Sequence, residues 1–212
     1  MSNQFNILSD QPPGTSSYIT REKTSRDGFD PVTAHGDFDQ RRKVANTAYT
    51  NGDAQAWLAA LPEYMYVKRN FRTNRFDHFS RSVGMPIVSP EFRDIVAEHA
   101  GSSVYFKKLE LRNPADPSEI REHFWMLPPK LRVIDVQKSS GVGESPAGNQ
   151  IAIFTLKRNC MVILDPAVPL PELFWDERCY SELIVSGKIY SALKRLKPAL
   201  RLWDCEVRQD GS

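Results

Sequence analysis

"IVSPEFRDIVAEHA", residues 87–100, and "IVSGKIYSALKRLK", residues 184–197, open in the same way and continue with the same periodicity. An apolar pair, Ile87-Val88 or Ile184-Val185, is short and β-branched, which suits a strand. The serine that follows suits an N-cap, where its hydroxyl accepts one of the free backbone N–H groups of a first helical turn. Pro90 fits the first helical position, which needs no N–H. Beyond the caps, Phe92, Ile95, Val96 and His99 lie on one helical stripe, and so do Ile189, Ala192, Leu193 and Leu196. Gly101 can end the first helix in a left-handed conformation, and Pro198 blocks the second. Strand-like runs then follow, Val104 to Leu111 and Leu200 to Val207. One unit of cap, short helix, turn and strand is therefore used twice. By itself this repetition speaks to fold.

Working outward, "EHFWML" (122–127), "QIAIFTLKRN" (150–159) and "CMVILDP" (160–166) read as strands. "SSGVGESPAGN" (139–149) reads as a loop. "PAVPLPELFWDERC" (166–179) reads as a proline-interrupted connection carrying the apolar trio Leu173-Phe174-Trp175. Upstream, "QRRKVANTAY" (40–49) and "DAQAWLAAL" (53–61) are helical, with Asp53 as N-cap of the second. "YMYVKRNF" (64–71) starts as an alternating strand. Residues 1 to about 40 read as irregular. The expectation is an α+β fold: a mixed sheet with short flanking helices over residues 83–212, preceded by a smaller, mainly helical or irregular part over residues 1–82.

The chain has 212 residues, 28 basic and 26 acidic, for a net charge of +2. Such a balance gives no general pull towards nucleic acid or a membrane surface. No apolar run approaches the ~20 residues of a membrane-spanning helix. "MSNQFNILSDQPPG" lacks a basic start followed by an apolar core, so a cytoplasmic protein is expected. Cys160, Cys179 and Cys205 form no C-x-x-C and read as small apolar residues in a reducing compartment.

Motifs with a chemical mechanism are missing. The sequence holds no phosphate-binding G-x-x-x-x-G-K-[ST], no H-E-x-x-H and no G-x-S-x-G. Glu98-His99 and Glu122-His123 are neighbours in sequence and so point to different faces. No catalytic residue, metal ligand or cofactor is assigned. Two stretches qualify as contact zones. In "YMYVKRNFRTNRFDHFSRS" (64–82), Tyr64, Tyr66, Lys68, Arg69, Arg72 and Arg75 interleave aromatic and basic groups. That pattern suits a protein interface, nucleic-acid binding or an amphipathic element over a core. Asp27, Asp30, Asp37 and Asp39 form an acidic run, which suits a basic partner or a solvated loop.

The order of parts from Ile87-Val88-Ser89, through "FWMLPPKLRVIDVQKS" (124–139), "MVILDP" (161–166) and "ELFWD" (172–176), to Leu183-Ile184-Val185-Ser186 resembles immunity family 11 of bacterial polymorphic-toxin systems. The resemblance covers about 125 residues of the C-terminal part and rests on order and spacing. It implies a non-enzymatic protein that binds and neutralises one cognate toxin, a secreted effector, in the cytoplasm. Such proteins often accompany contact-dependent or type VI-like secretion. The contact zones named above are read from the residues and are not carried over from the family. The alternative is a nucleic-acid-binding protein using residues 64–81.

Overall fold

The structure is a computed structural model. It describes residues 5–9, 19–20, 47–48, 51–67, 78–82, 85–113, 116, 118–144, 150–153, 161–179, 182–196 and 202–209. The class is α+β, with mixed sheets and short helices. The strands are β1 (Phe5–Ser9), β2 (Ile19–Thr20), β3 (Tyr64–Val67), β4 (Phe79–Ser82), β5 (Met85–Val88), β6 (Tyr105–Arg112), β7 (Ile120–Leu127), β8 (Lys130–Leu131), β9 (Val142–Glu144), β10 (Ile151–Ile153), β11 (Met161–Leu164), β12 (Leu173–Asp176), β13 (Glu182–Ser186) and β14 (Leu202–Gln209). Helices α1, α2 and α3 cover Ala54–Ala60, Pro90–Ala100 and Gly187–Leu193.

The chain packs as two compact units interleaved in sequence. One holds residues 1–10, 94–104 and 128–212; the other holds 11–93 and 105–127. The grouping follows strand pairing. In the first unit a six-stranded sheet runs β11-β14-β1-β13-β12-β8. In the second, another runs β2-β3-β6-β7-β5-β4 and curls until β2 and β4 come into contact.

Both serine caps form as their sequence requires. Phe92 N–H donates to Ser89 Oγ at 3.2 Å. Ile189 N–H donates to Ser186 Oγ at 3.4 Å. Asp53 caps α1, its Oδ1 accepting from Ala56 N–H at 2.9 Å. The core-facing stripes are confirmed at Phe92, Val96, Ile189 and Leu193, all fully buried, while Ile95, Ala192 and Leu196 are half-buried. Gly101 has φ +57°, the left-handed conformation expected where α2 stops.

Each capped helix crosses over one strand. β5 and β6 are both antiparallel to β7 and hence parallel to each other, with β7 between them. β13 and β14 are both antiparallel to β1, which lies between them. Outside these cores, β4 is antiparallel to β5 as β12 is to β13, and β3 is parallel to β6 as β11 is to β14. The two sheets therefore share one five-strand pattern.

Several expectations are corrected. Residues 1–40 are not irregular throughout, because Phe5–Ser9 is the inner strand β1. It is too short to show a period, and long-range pairing with β13 and β14 defines it. The 166–179 connection contains strand β12, whose Leu173, Phe174, Trp175 and Asp176 are all buried; with both faces covered, no alternation marks it. The 139–149 loop contains β9, which pairs with β10 as a hairpin. Phe79–Ser82, within the basic-aromatic run, is strand β4. Of residues 40–49, Thr47 and Ala48 are helical and the rest lie outside the described residues.

Each unit has its own core. In the second, Trp57 and Leu61 pack with Met65, Ile87, Leu109, Leu111 and Trp125 on one face of the sheet. Trp125 Nε1–H donates to Pro62 O at 2.8 Å, and Lys107 Nζ to Leu61 O at 2.7 Å, fixing the end of α1 against the strands. In the first, Phe5 meets Phe174 edge-on at 5.7 Å within a core that includes Val162, Leu164, Ile184 and Val207. Leu109 is fully buried, so Leu109→Ala is expected to destabilise the protein by about 2–5 kcal/mol in a urea titration, through lost transfer energy and a residual cavity.

Candidate functional site

The second unit's sheet has two unlike faces. The register places Met65, Ile87, Leu109, Leu111 and Trp125 towards α1. On the opposite face the first turn of α2 lies over one end: Phe92 stacks on Phe79 at 5.6 Å, and the Arg93 guanidinium lies 4.2 Å from the Phe124 ring centre. Beyond Phe124 the same face carries Tyr64 from β3, Lys108, Glu110 and Arg112 from β6, and Ile120 and Glu122 from β7. These residues share the face because strand side chains alternate and the register sets Lys108 opposite Phe124, Glu110 opposite Glu122 and Tyr64, and Arg112 opposite Ile120.

The charges on this strip are ordered. Glu110 and Glu122 sit directly opposite each other, a repulsive arrangement if left alone. Each carboxylate has its own cation: Lys108 Nζ is 2.5 Å from Glu122 Oε2, and Arg112 Nη2 is 2.8 Å from Glu110 Oε2. Hydrogen bonding to Glu122, and then its charge, raises the Lys108 ammonium above the usual lysine range. Arg112 also lies over Tyr64, 4.1 Å from the ring centre, so the guanidinium is pre-oriented by a carboxylate and an aromatic face. Ile120 is 49% exposed beside them, an uncommon state for a strand isoleucine. Among the described residues the result is a surface strip of Arg, Tyr and Ile crossed by two salt bridges, with Lys108, Ile120 and Glu122 exposed and Tyr64, Glu110 and Arg112 half-buried. Its composition is that of a binding patch; the individual ion pairs contribute little to folding.

Two polar clusters lie at the serine caps, and they correspond position by position. His78, just before β4, places Nδ1 2.9 Å from Ser89 Oγ and 3.9 Å from Glu91 Oε2. Glu172, just before β12, bonds Ser186 and lies 3.2 Å from Lys188 Nζ. Ser89 N–H donates to His78 O, and Ser186 N–H to Glu172 O, at 3.0 and 2.8 Å. The architecture is the same and the order of base and acid is reversed. A serine beside a histidine could suggest a nucleophile and base. Here Ser89 Oγ already accepts from Phe92 N–H, Ser89 is buried, and a carboxylate replaces the imidazole in the second occurrence. The contact is a helix cap. Glu91 is held below the ordinary carboxylate range by its own backbone N–H, then by Ser89 and the nearby His78 and His123, against the effect of burial. Glu172 is lowered first by Ser186, then by Lys188 and His99.

A third group is the buried Asp176–Arg178 pair of the first unit. Asp176 Oδ2 accepts from Val133 and Ile134 N–H at 3.0 and 2.9 Å, and Oδ1 accepts from Arg178 N–H and Nε–H. Arg178 Nη2 donates to Ile134 O at 2.6 Å. This network ties the 133–134 backbone to the end of β12. Among the described residues, no group of three or more His, Cys, Asp or Glu side chains could hold a metal ion. No helix of the described residues is long and apolar enough to cross a membrane.

Of the residues singled out in the sequence, Tyr64 is half-buried beneath Arg112 on the open strip. Tyr66 has its backbone in β3, paired with Thr20 and Arg112, and its side chain lies outside the described residues. Lys68, Arg69, Arg72, Arg75, Asp27, Asp30, Asp37 and Asp39 also lie outside them. Lys108, Glu110, Arg112, Ile120 and Glu122 were missed. The signal was the alternation in "KLELR" (108–112), where charges at every second position mark an open strand face. No protein-family model matches the chain, and no curated protein matches it.

Burial works to raise the Asp176 carboxyl, but Arg178 and three backbone N–H groups outweigh it and leave the carboxyl below its ordinary value. Its stabilising contribution is therefore complete above the unfolded carboxylate value of about 3.9 and is lost as pH falls towards the lower folded value. Asp176→Ala strands a buried guanidinium and is expected to cost about 3–5 kcal/mol at neutral pH, with a shallower loss of stability below pH ~4 than the parent in acid titrations followed by circular dichroism.

Proposed function

We propose that this chain is an immunity protein that binds and neutralises a cognate bacterial toxin, a secreted effector, in the cytoplasm, through a protein–protein interface and without catalysis of its own. The order of sequence elements similar to immunity family 11 supports this reading. The observation that carries it is the open strip of Tyr64, Lys108, Glu110, Arg112, Ile120 and Glu122. Arg and Tyr are the residue types that most often anchor interfaces, and an Arg held between a carboxylate and a ring loses little conformational freedom on binding. Paired opposite charges on one sheet face recognise one complementary pattern of charge and reject others. A stable complex needs at least ~1,200 Å² of buried surface, so the interface extends beyond the strip.

The test is to read the genes beside this one and to co-express the protein with a toxin domain encoded there; a neighbourhood that encodes none counts against the proposal. Cells should survive with the parent protein, and the two chains should co-purify. Arg112→Ala is expected to weaken the complex by about 2 kcal/mol, roughly 30-fold in Kd by titration calorimetry, with the urea midpoint of the free protein little changed. Survival that is equal with and without the protein would overturn the proposal. The nucleic-acid alternative is separated by salt. Binding to an oligonucleotide would fall steeply with ionic strength, whereas a toxin complex anchored by desolvated Arg and Tyr groups should depend on it weakly.

A further inference from the structure

The two sheets follow one pattern except in where the middle strand comes from. In the second unit, β6 runs directly into β7 as a hairpin, through residues 113–119, and β7 fills the place between β5 and β6. In the first unit, the equivalent place between β13 and β14 is filled by β1, from the other end of the chain. The rest of the five-strand pattern corresponds. His78 and Glu172 precede the outer strand, and Phe79 and Leu173 pair with Val88 and Val185. Ser89 and Ser186 cap the crossover helix. β3 and β11 lie parallel beyond β6 and β14. The register also sets Phe5 opposite Val207, so the end of β14 and the start of β1 are neighbours, as the two arms of a hairpin would be.

We infer that the five strands β11, β12, β13, β14 and β1 with α3 are a circularly permuted copy of β3, β4, β5, β6 and β7 with α2, and that the gap between β13 and β14 is a strand-binding site. Its ligand is an extended peptide of the Phe5–Ser9 type. β1 hydrogen-bonds on both sides, and Phe5 is 2% exposed and meets Phe174, so the site selects a strand with an apolar side chain at the Phe5 position. Because the site is defined by its two flanking strands, it takes β1 from either end of the chain. The same strand attached after β14 should enter it with the same polarity.

The experiment uses the full chain. Ile7 is paired on both sides, with Ile184 and with Trp203; Ile7→Pro removes its N–H from the middle of β1 and should lower Tm by on the order of 10 °C. A second copy of Phe5–Ser9 is then added beyond Gln209 of this variant, through a loop as long as 113–119. It should restore most of the lost Tm or, if Ile7→Pro alone does not accumulate, restore soluble yield. An added copy that itself carries proline at the matching position should restore neither. The inference is overturned if Ile7→Pro leaves Tm unchanged, if the added strand gives no recovery, or if the proline-bearing copy recovers it equally. A synthetic Phe5–Ser9 peptide that rescues Ile7→Pro where the attached strand does not would show a strand site without permutation, and would overturn the permuted reading.

Discussion

The strand-to-helix turn at Ser89, repeated at Ser186, sets the geometry on which both units depend. A helix that leaves a sheet exposes unpaired N–H groups at its first turn, and burial makes them costly. In each unit the serine hydroxyl accepts one of them, while the serine's own N–H donates to the residue that opens the outer strand. The turn is thus bonded forwards to the helix and sideways to the sheet. With its start pinned this way, each helix returns its chain one strand away, which leaves room for β7 in one unit and β1 in the other.

The side chains that complete these turns come in opposite order, base then acid at His78 and Glu91, acid then base at Glu172 and Lys188. Geometry is kept and polarity is exchanged. This is the behaviour of a structural element, because a cap needs a hydrogen-bond partner of either sign, whereas a reaction centre needs particular groups in particular protonation states. The carboxylate members of both clusters are held ionised by their hydrogen bonds, which suits a fixed electrostatic support.

The open strip is made differently. Its residues come from a hairpin, β6 and β7, and from β3 about forty residues upstream, and only the parallel pairing of β3 with β6 and the antiparallel pairing of β6 with β7 bring them to one face. Arg112 contacts both Glu110 and Tyr64, and Lys108 is held by Glu122. Such mutual pairing keeps charged groups oriented at a surface without burying them, and it leaves Ile120 and the ring edges to supply apolar contact.

The sequence by itself determined the local devices: the serine and aspartate caps, the helical stripes, the left-handed glycine after α2, and the α+β class. These depend on interactions within a few residues, and the side chains that make them are adjacent in the text of the chain. Tertiary structure alone decided which strands are neighbours. β1 is five residues whose place is set by partners almost two hundred positions away, and β12 shows no alternation because both its faces are covered. The strip was half legible, since Tyr64 stood out by composition. Arg112 and Glu122 did not, because a charged residue on a strand acquires meaning only from what the register sets opposite it.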